Sequence, residues 1–321
     1  MTRYVLRRLA LLLVSLALAT VVLFVLLRML PGDPANALTA VGATDEQIAA
    51  ARASIGSDRP LPEQFVHWTG QLVRGDFGTS FVSSLPVGPE IATRLQVTLP
   101  LTLAAFLLAV AVAVPAGFVA ARKRHTWYGA LLSGVSQLGI AIPVFWLGMI
   151  LVAVLAVNAR WFPSGGFPPD GWADPAEAVR ALTLPVITVA LVMSASLIRY
   201  VRSATLDVLG SDYLRTARAL GASFGSAMWR HGLRNASVPV ISVLGIELAS
   251  TLLGAVVVES VFALPGLGSQ LTTGISQHDY PVIQGVLFVS TLAVLLIGFA
   301  ADIVQRVVDP RLRTGLAGGT R

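Results

Sequence analysis

Cysteine is absent from the 321 residues. That removes disulfides, thiolate chemistry and Cys-ligated metals from consideration. Lysine occurs once, as Lys123 in Arg122-Lys123-Arg124, and no Gly-Lys-Ser/Thr run exists. A phosphate-cradling P-loop needs that run, so the chain is not expected to hydrolyse ATP by itself. The four histidines, His67, His125, His231 and His278, are far apart, and His-Glu-x-x-His is missing. Both facts argue against an intramembrane protease. Charge is scarce too, at 12% of residues.

Apolar residues fill the space that charge leaves. They make up 55% of the chain, and the mean hydropathy is +0.75. This composition is that of a membrane protein. The net charge of +6 is dispersed in short segments between apolar runs. It is not gathered on one domain, so no nucleic-acid partner is expected.

Six runs are long and apolar enough to cross a bilayer, which takes about 20 residues each. They are Leu9–Leu27, Leu95–Ala121, Gly129–Val157, Ala181–Ile198, Ser237–Val258 and Pro281–Ala301. The first follows Arg3, Arg7 and Arg8, and Ala17-Leu18-Ala19 imitates a signal-peptide cleavage site. Its apolar run continues to Leu27, beyond the ~7–15 residues of a signal core, so it is read as a retained span. With both termini inside, the inner segments hold 16 of the 23 Lys and Arg residues. This bias places both ends and the 199–236 loop in the cytoplasm. The outer face then carries segment 31–94 and two smaller ones near 158–180 and 259–280. Within 31–94, the stretch from Pro60 to Trp68 has the signals of an amphipathic helix starting after its prolines.

Between the fourth and fifth spans lies Asp212 to Val240, basic and patterned as helix. An arginine at the bilayer centre costs ~3 kcal/mol, against about half a kcal/mol returned per leucine, so this stretch is no span. Leu214, Ala217 and Leu220 share a helical face, flanked by Arg215 and Arg218. Gly221 suits a left-handed helix end, and Ser223 suits the cap of a second short helix. In that helix Phe224, Ala227, Met228 and His231 share a face. Pro239 falls where the first turn of the fifth span is expected. The pattern fits a basic surface for anionic lipid and a docking element for protein equally well.

Several motifs carry a resemblance. Arg215-Thr216-Ala217-Arg218-Ala219-Leu220-Gly221, then Arg230-His231-Gly232-Leu233-Arg234-Asn235-Ala236 and Pro239, resemble the cytoplasmic "EAA" loop of binding-protein-dependent ABC importer permeases. The version here looks like the B-type subunit of the dipeptide/oligopeptide branch. Leu30-Pro31-Gly32-Asp33-Pro34 after the first span is similar to that branch, as is Gly75-Asp76-Phe77-Gly78-Thr79-Ser80. So are Pro143-Val144-Phe145-Trp146, the run from Glu259 to Gly268, Asp279-Tyr280-Pro281 and Asp309-Pro310-Arg311. Leu220, Glu247 and His278 depart from the usual pattern, where lysine, an uncharged polar residue and arginine are more common.

The resemblance implies an all-α polytopic membrane protein with six transmembrane helices, a type I ABC importer permease fold and both termini cytoplasmic. It implies an N-terminal span over 1–30, an extracytoplasmic segment over 31–94, and a core over 95–321 that contains a coupling loop at 204–236. It implies import across the bacterial cytoplasmic membrane without catalysis by this chain. The expected partners are a paralogous permease forming a heterodimer, two ABC ATPase subunits that hold ATP and Mg, and an extracytoplasmic substrate-binding protein. The expected cargo is a di- or oligopeptide, with nickel chelates, glutathione and haem as alternatives within the same machinery; the alternative outside it is an ion-coupled secondary transporter, for which one intramembrane Glu is thin support. Membrane lipid surrounds the chain, and no cofactor is expected on it. Coupling to the ATPase is expected of Arg215, Ala217, Arg218, Ala219, Gly221, Phe224, Arg230 and His231. Pro143, Phe145 and Glu247 are the candidate pathway residues. Glu247 is an acid inside a span, a default functional site whose alternative is a neutral carboxyl at a helix interface. Glu259 and Asp302 lie near membrane edges and are assigned to structure or solvent.

Overall fold

A computed structural model describes residues 2–29, 35 and 43–308, without the side chains of His231 and Arg234. Leu30–Pro34 and Asp309–Arg311, two of the motifs above, lie outside the described residues, as does the side chain of His231. Among the described residues, five helices are long and apolar enough to span a membrane: α1 (Thr2–Met29), α4 (Val87–Arg122), α7 (Pro175–Leu209), α10 (Leu233–Val261) and α12 (Tyr280–Val308). Between α1 and α4 lie α2 (Asp45–Ile55) and α3 (Leu61–Val73). The helix expected after the prolines begins between them, at Leu61, with Pro62 in its first turn.

The run Gly129–Val157 does not form the single spanning helix expected of it. It is a pair, α5 (Trp127–Ala141) and α6 (Val144–Leu151), the latter continuing as a π-helical turn to Asn158, and the two halves meet at 101°. The cause is local. A residue before proline is pushed out of the helical region, and Ile142 is extended at φ −83°, ψ 121°.

The helix that contains the run Ala181–Ile198 is longer than the run itself. α7 runs on to Leu209, so Arg199 and Arg202 sit on helix and not in a loop. Long arginine side chains at a span's end reach out to the interface, so they need not terminate it. α7 is the central element: 67% of its most apolar stretch is buried, against 17% for α1. Its tightest partner is α4, where Ala105, Ala109, Ala113, Gly117 and Ala121 recur every fourth residue and are all buried. Small side chains at this spacing let two backbones approach closely. A Cβ on Gly117 would lie 2.7 Å from the Val201 side chain and 2.9 Å from the Ile198 carbonyl.

α1 packs on α12 through a polar knot at one membrane edge. Arg8 pairs with Asp302 at 3.1 Å and donates to the Tyr4 hydroxyl at 3.2 Å, while Arg306 stacks over the Tyr4 ring. At the other end of α1, Phe24 packs edge-on against Phe65 and stacks on Trp68 of α3. α11 (Leu267–Gln277) lies between α10 and α12.

Candidate functional site

Three places in the fold hold the predicted residues. The first is the link between α7 and α10. α8 (Asp212–Ala219) and α9 (Phe224–Ala227) are joined at Gly221, whose φ of +92° lies where side chains are strained. Ser223 caps α9 by accepting from the Ser226 amide at 3.3 Å. Beyond α9 a π-helical turn, Met228–Gly232, runs straight into α10. Pro239 therefore lies inside α10, not at the first turn of a new helix.

One face of the link is closed. Leu214, Ala227 and Met228 are buried against Ala204, Val208 and Ala236, with Ala217 and Phe224 packed on the same cluster. The guanidinium of Arg122, at the end of α4, lies 5.0 Å from the Phe224 ring centroid. The other face is open. Arg215, Arg218, Ala219, Gly221 and Arg230 are exposed, and so are two large apolar side chains, Leu220 at 83% and Trp229 at 75%. Leu220 leaves the Leu214–Ala217 face because α8 ends at Ala219 and the chain turns there. The exposed Arg215–Asp212 pair, 3.5 Å apart, adds at most a few tenths of a kcal/mol to α8. The predicted set thus divides: Ala217 and Phe224 hold the link to the spans, while the arginines, Ala219 and Gly221 face outward.

The second place is a cavity of about 200 Å³ between α4, α6, α7 and α10. Glu247 lines it, with Thr102, Ser196, Ser250 and Thr251 as the other polar groups on an apolar wall. The Ser196 hydroxyl donates to Glu247 Oε1 at 2.7 Å. Of the two other pathway candidates, Pro143 makes the bend into α6 and Phe145 is exposed; the residue between them, Val144, is the one that lines the cavity.

The third place is one that sequence reasoning undervalued. Glu259, set down at a membrane edge, is fully buried. It accepts from the Thr98 hydroxyl at 2.6 Å and from the Ser269 amide at 3.0 Å. Thr98 in turn accepts from the Leu267 amide at 2.9 Å. One carboxylate thus ties α10 to α4 and to the first turn of α11. Nearby, Asp279 is buried and accepts from the Ser80 hydroxyl and, at 3.1 Å, from the Phe81 amide. This joins the Gly75–Ser80 motif to the Asp279-Tyr280-Pro281 motif. The signal available in the sequence was an acid beside each glycine-rich outer turn; nothing in it pairs residue 80 with residue 279.

Comparison with known proteins places the chain among transporter subunits. Residues 113–314 match the family described as "Binding-protein-dependent transport system inner membrane component", and residues 1–102 match the N-terminal region of such membrane components. The glutathione transport system permease protein GsiC of Escherichia coli is 38% identical over 313 residues, 98% of this chain and 99% of that protein. GsiC of Shigella dysenteriae matches to the same extent. A solved chain of the MetNI methionine ABC transporter, inward-facing, shares the fold: TM-score 0.57 and 18% identity, over 68% of this chain and 96% of that one.

Proposed function

The chain belongs to the binding-protein-dependent transport system inner membrane components, the multi-pass, non-catalytic permease subunits of ABC importers, and from that premise we propose how it couples and what it carries. The link of α8 and α9 is the coupling element, seated on one of two partner ATPases that bind ATP and Mg. Both termini and this link face the cytoplasm, in keeping with the distribution of arginine. A paralogous permease completes the pathway, and an extracytoplasmic substrate-binding protein delivers the cargo. Closure of the ATPases on ATP moves the link, and α7 and α10, fused to it at either end, carry that movement into the pathway.

The observation that carries this reading is the length of α7. Its 35 residues extend about 52 Å, against a hydrocarbon core of about 30 Å. Counted from Ala181, the core ends near Tyr200, and Leu214 of α8 packs on Ala204 and Val208, about 6–12 Å beyond it, with the open face of the link farther out. Arginines with an exposed leucine and tryptophan, held that far out, suit a protein partner. A lipid surface would need them at the headgroups.

The cargo is a small peptide. Among such cargoes the tripeptide glutathione is the first to try, because relatives alike over their full length are named for its transport. The test is co-purification of the tagged chain from native membranes, with ATPase activity and ATP-driven uptake measured on the complex. Gly221→Asp is expected to lose the ATPase subunits and uptake, since a side chain at that backbone angle costs ~1–2 kcal/mol and redirects the turn. Gly225→Ala, at an open position with ordinary backbone, is expected to keep both. A chain that purifies alone and takes up solute on an ion gradient would overturn the reading.

A further inference from the structure

We propose that Glu247 is the cation-recognition residue of the pathway: its carboxylate receives the primary ammonium group of the cargo part-way across the membrane. The inference rests on the importer reading above and adds to it a cargo chemistry and a residue.

The argument begins with the cost of the carboxylate. Glu247 is the one charged residue between Asn235 and Val258. An acid at that depth is costly unless something cationic or several donors meet it. A carboxylate offers about four acceptor positions, and the Ser196 hydroxyl fills one of them. The Thr251 hydroxyl is turned back to the Glu247 main-chain carbonyl at 2.7 Å, so it does nothing for the charge. Among the described residues, no Lys, Arg or His lines the cavity. The nearest arginine along α7, Arg199, lies over the Tyr200 ring at 4.9 Å and makes no ion pair with Glu247 among the described residues. Among the described residues, the Glu247 carboxyl therefore faces the cavity with its remaining acceptor positions unfilled.

Its walls say which cation fits. A primary ammonium carries three N–H donors and no acceptor. Free Glu247 oxygen and the hydroxyl oxygens of Ser196 and Ser250 make a set of acceptors of that kind. The volume, about 200 Å³, is below the ~300–1,000 Å³ of a complete small-ligand site. It suits one end of a cargo and not the whole of it. A peptide's free amino terminus, including the amino group of a γ-glutamyl residue, is such an end. A neutral or wholly anionic solute is not.

The absence of cysteine makes the test direct. Ser250→Cys places this chain's only thiol one helical turn from Glu247. In the complete transporter in membrane vesicles, its rates of modification by a trimethylammonium-ethyl and by a sulfonatoethyl methanethiosulfonate are compared, read by mass on this chain. The cation-to-anion rate ratio is expected to fall at least about tenfold when Glu247→Gln is added, because a unit charge one turn away biases both reagents. An unchanged ratio would overturn the proposal. The second arm is ATP-driven uptake of glutathione and of a zwitterionic dipeptide with uncharged side chains, with Glu247→Gln expected to slow both at least about tenfold and Glu247→Asp to restore part of the rate. Uptake by Glu247→Gln equal to wild type would also overturn it. If the unaltered complex carries no peptide while the labelling ratio still responds to Glu247, the cargo reading fails and the cationic site stands.

Discussion

Gly266→Ala is the sharpest test of the Glu259 tie. Gly266 has φ −100° and ψ −174°, extended backbone that any residue adopts, so alanine brings no conformational strain. What it brings is a methyl group with no room. Its Cβ would fall 2.1 Å from Glu259 Cδ and Oε1 and 2.5 Å from Oε2, where van der Waals contact needs about 3.5 Å. The carboxylate has nowhere to go, since it is fully buried and held by Thr98 and Ser269. Either α11's first turn moves by more than an ångström or the carboxylate is pushed off its donors. Moving the turn breaks the hydrogen bonds donated by the Ser269 and Leu267 amides, and each lost buried hydrogen bond costs about 1–3 kcal/mol. The expected loss is about 3 kcal/mol, read as an apparent Tm at least ~5 °C lower in detergent. A double-mutant cycle isolates the cause. In a Glu259→Ala background the obstructing carboxylate is gone, so adding Gly266→Ala should cost less than ~0.5 kcal/mol. A Gly266→Ala protein as stable as wild type, or penalties that simply add, would refute the reasoning.

Two further outcomes follow from the packing. Asp279→Asn puts an amide N–H₂ opposite one of two donors, the Ser80 hydroxyl or the Phe81 amide. The lost bond is expected to cost ~1–3 kcal/mol and to speed limited proteolysis within residues 74–86 several-fold, cleavage sites being read by mass. Gly117→Val would drive two methyl groups into Val201 and the Ile198 carbonyl. Separation of α4 from α7 should lower the apparent Tm by several degrees, while Gly134→Ala, at an open position, should leave it unchanged.

Hydropathy and charge alone determined the class of protein: apolar runs of span length and the cost of burying arginine in lipid make it a multi-pass membrane protein, whatever the packing. The Gly221 turn and the Ser223 cap were legible for a related reason: both depend on residues adjacent in the chain. The ends of the spans were legible less well. Arg199 and Arg202 look like a loop by charge, yet they ride on α7 because a long side chain can leave the membrane while its backbone stays helical. A proline inside an apolar run is visible in sequence, but a 101° bend, as at Pro143, and a proline carried inside a continuous helix, as Pro115 is in α4, look alike there. Only the tertiary structure decided which acid does what. Glu247 and Glu259 are twelve residues apart on one helix, and by sequence the first looked functional and the second peripheral. Packing brings Thr98 and the first turn of α11 to Glu259 and leaves one hydroxyl and an open cavity beside Glu247. A carboxylate's role is set by the donors that surround it, and those donors come from segments far away in the chain.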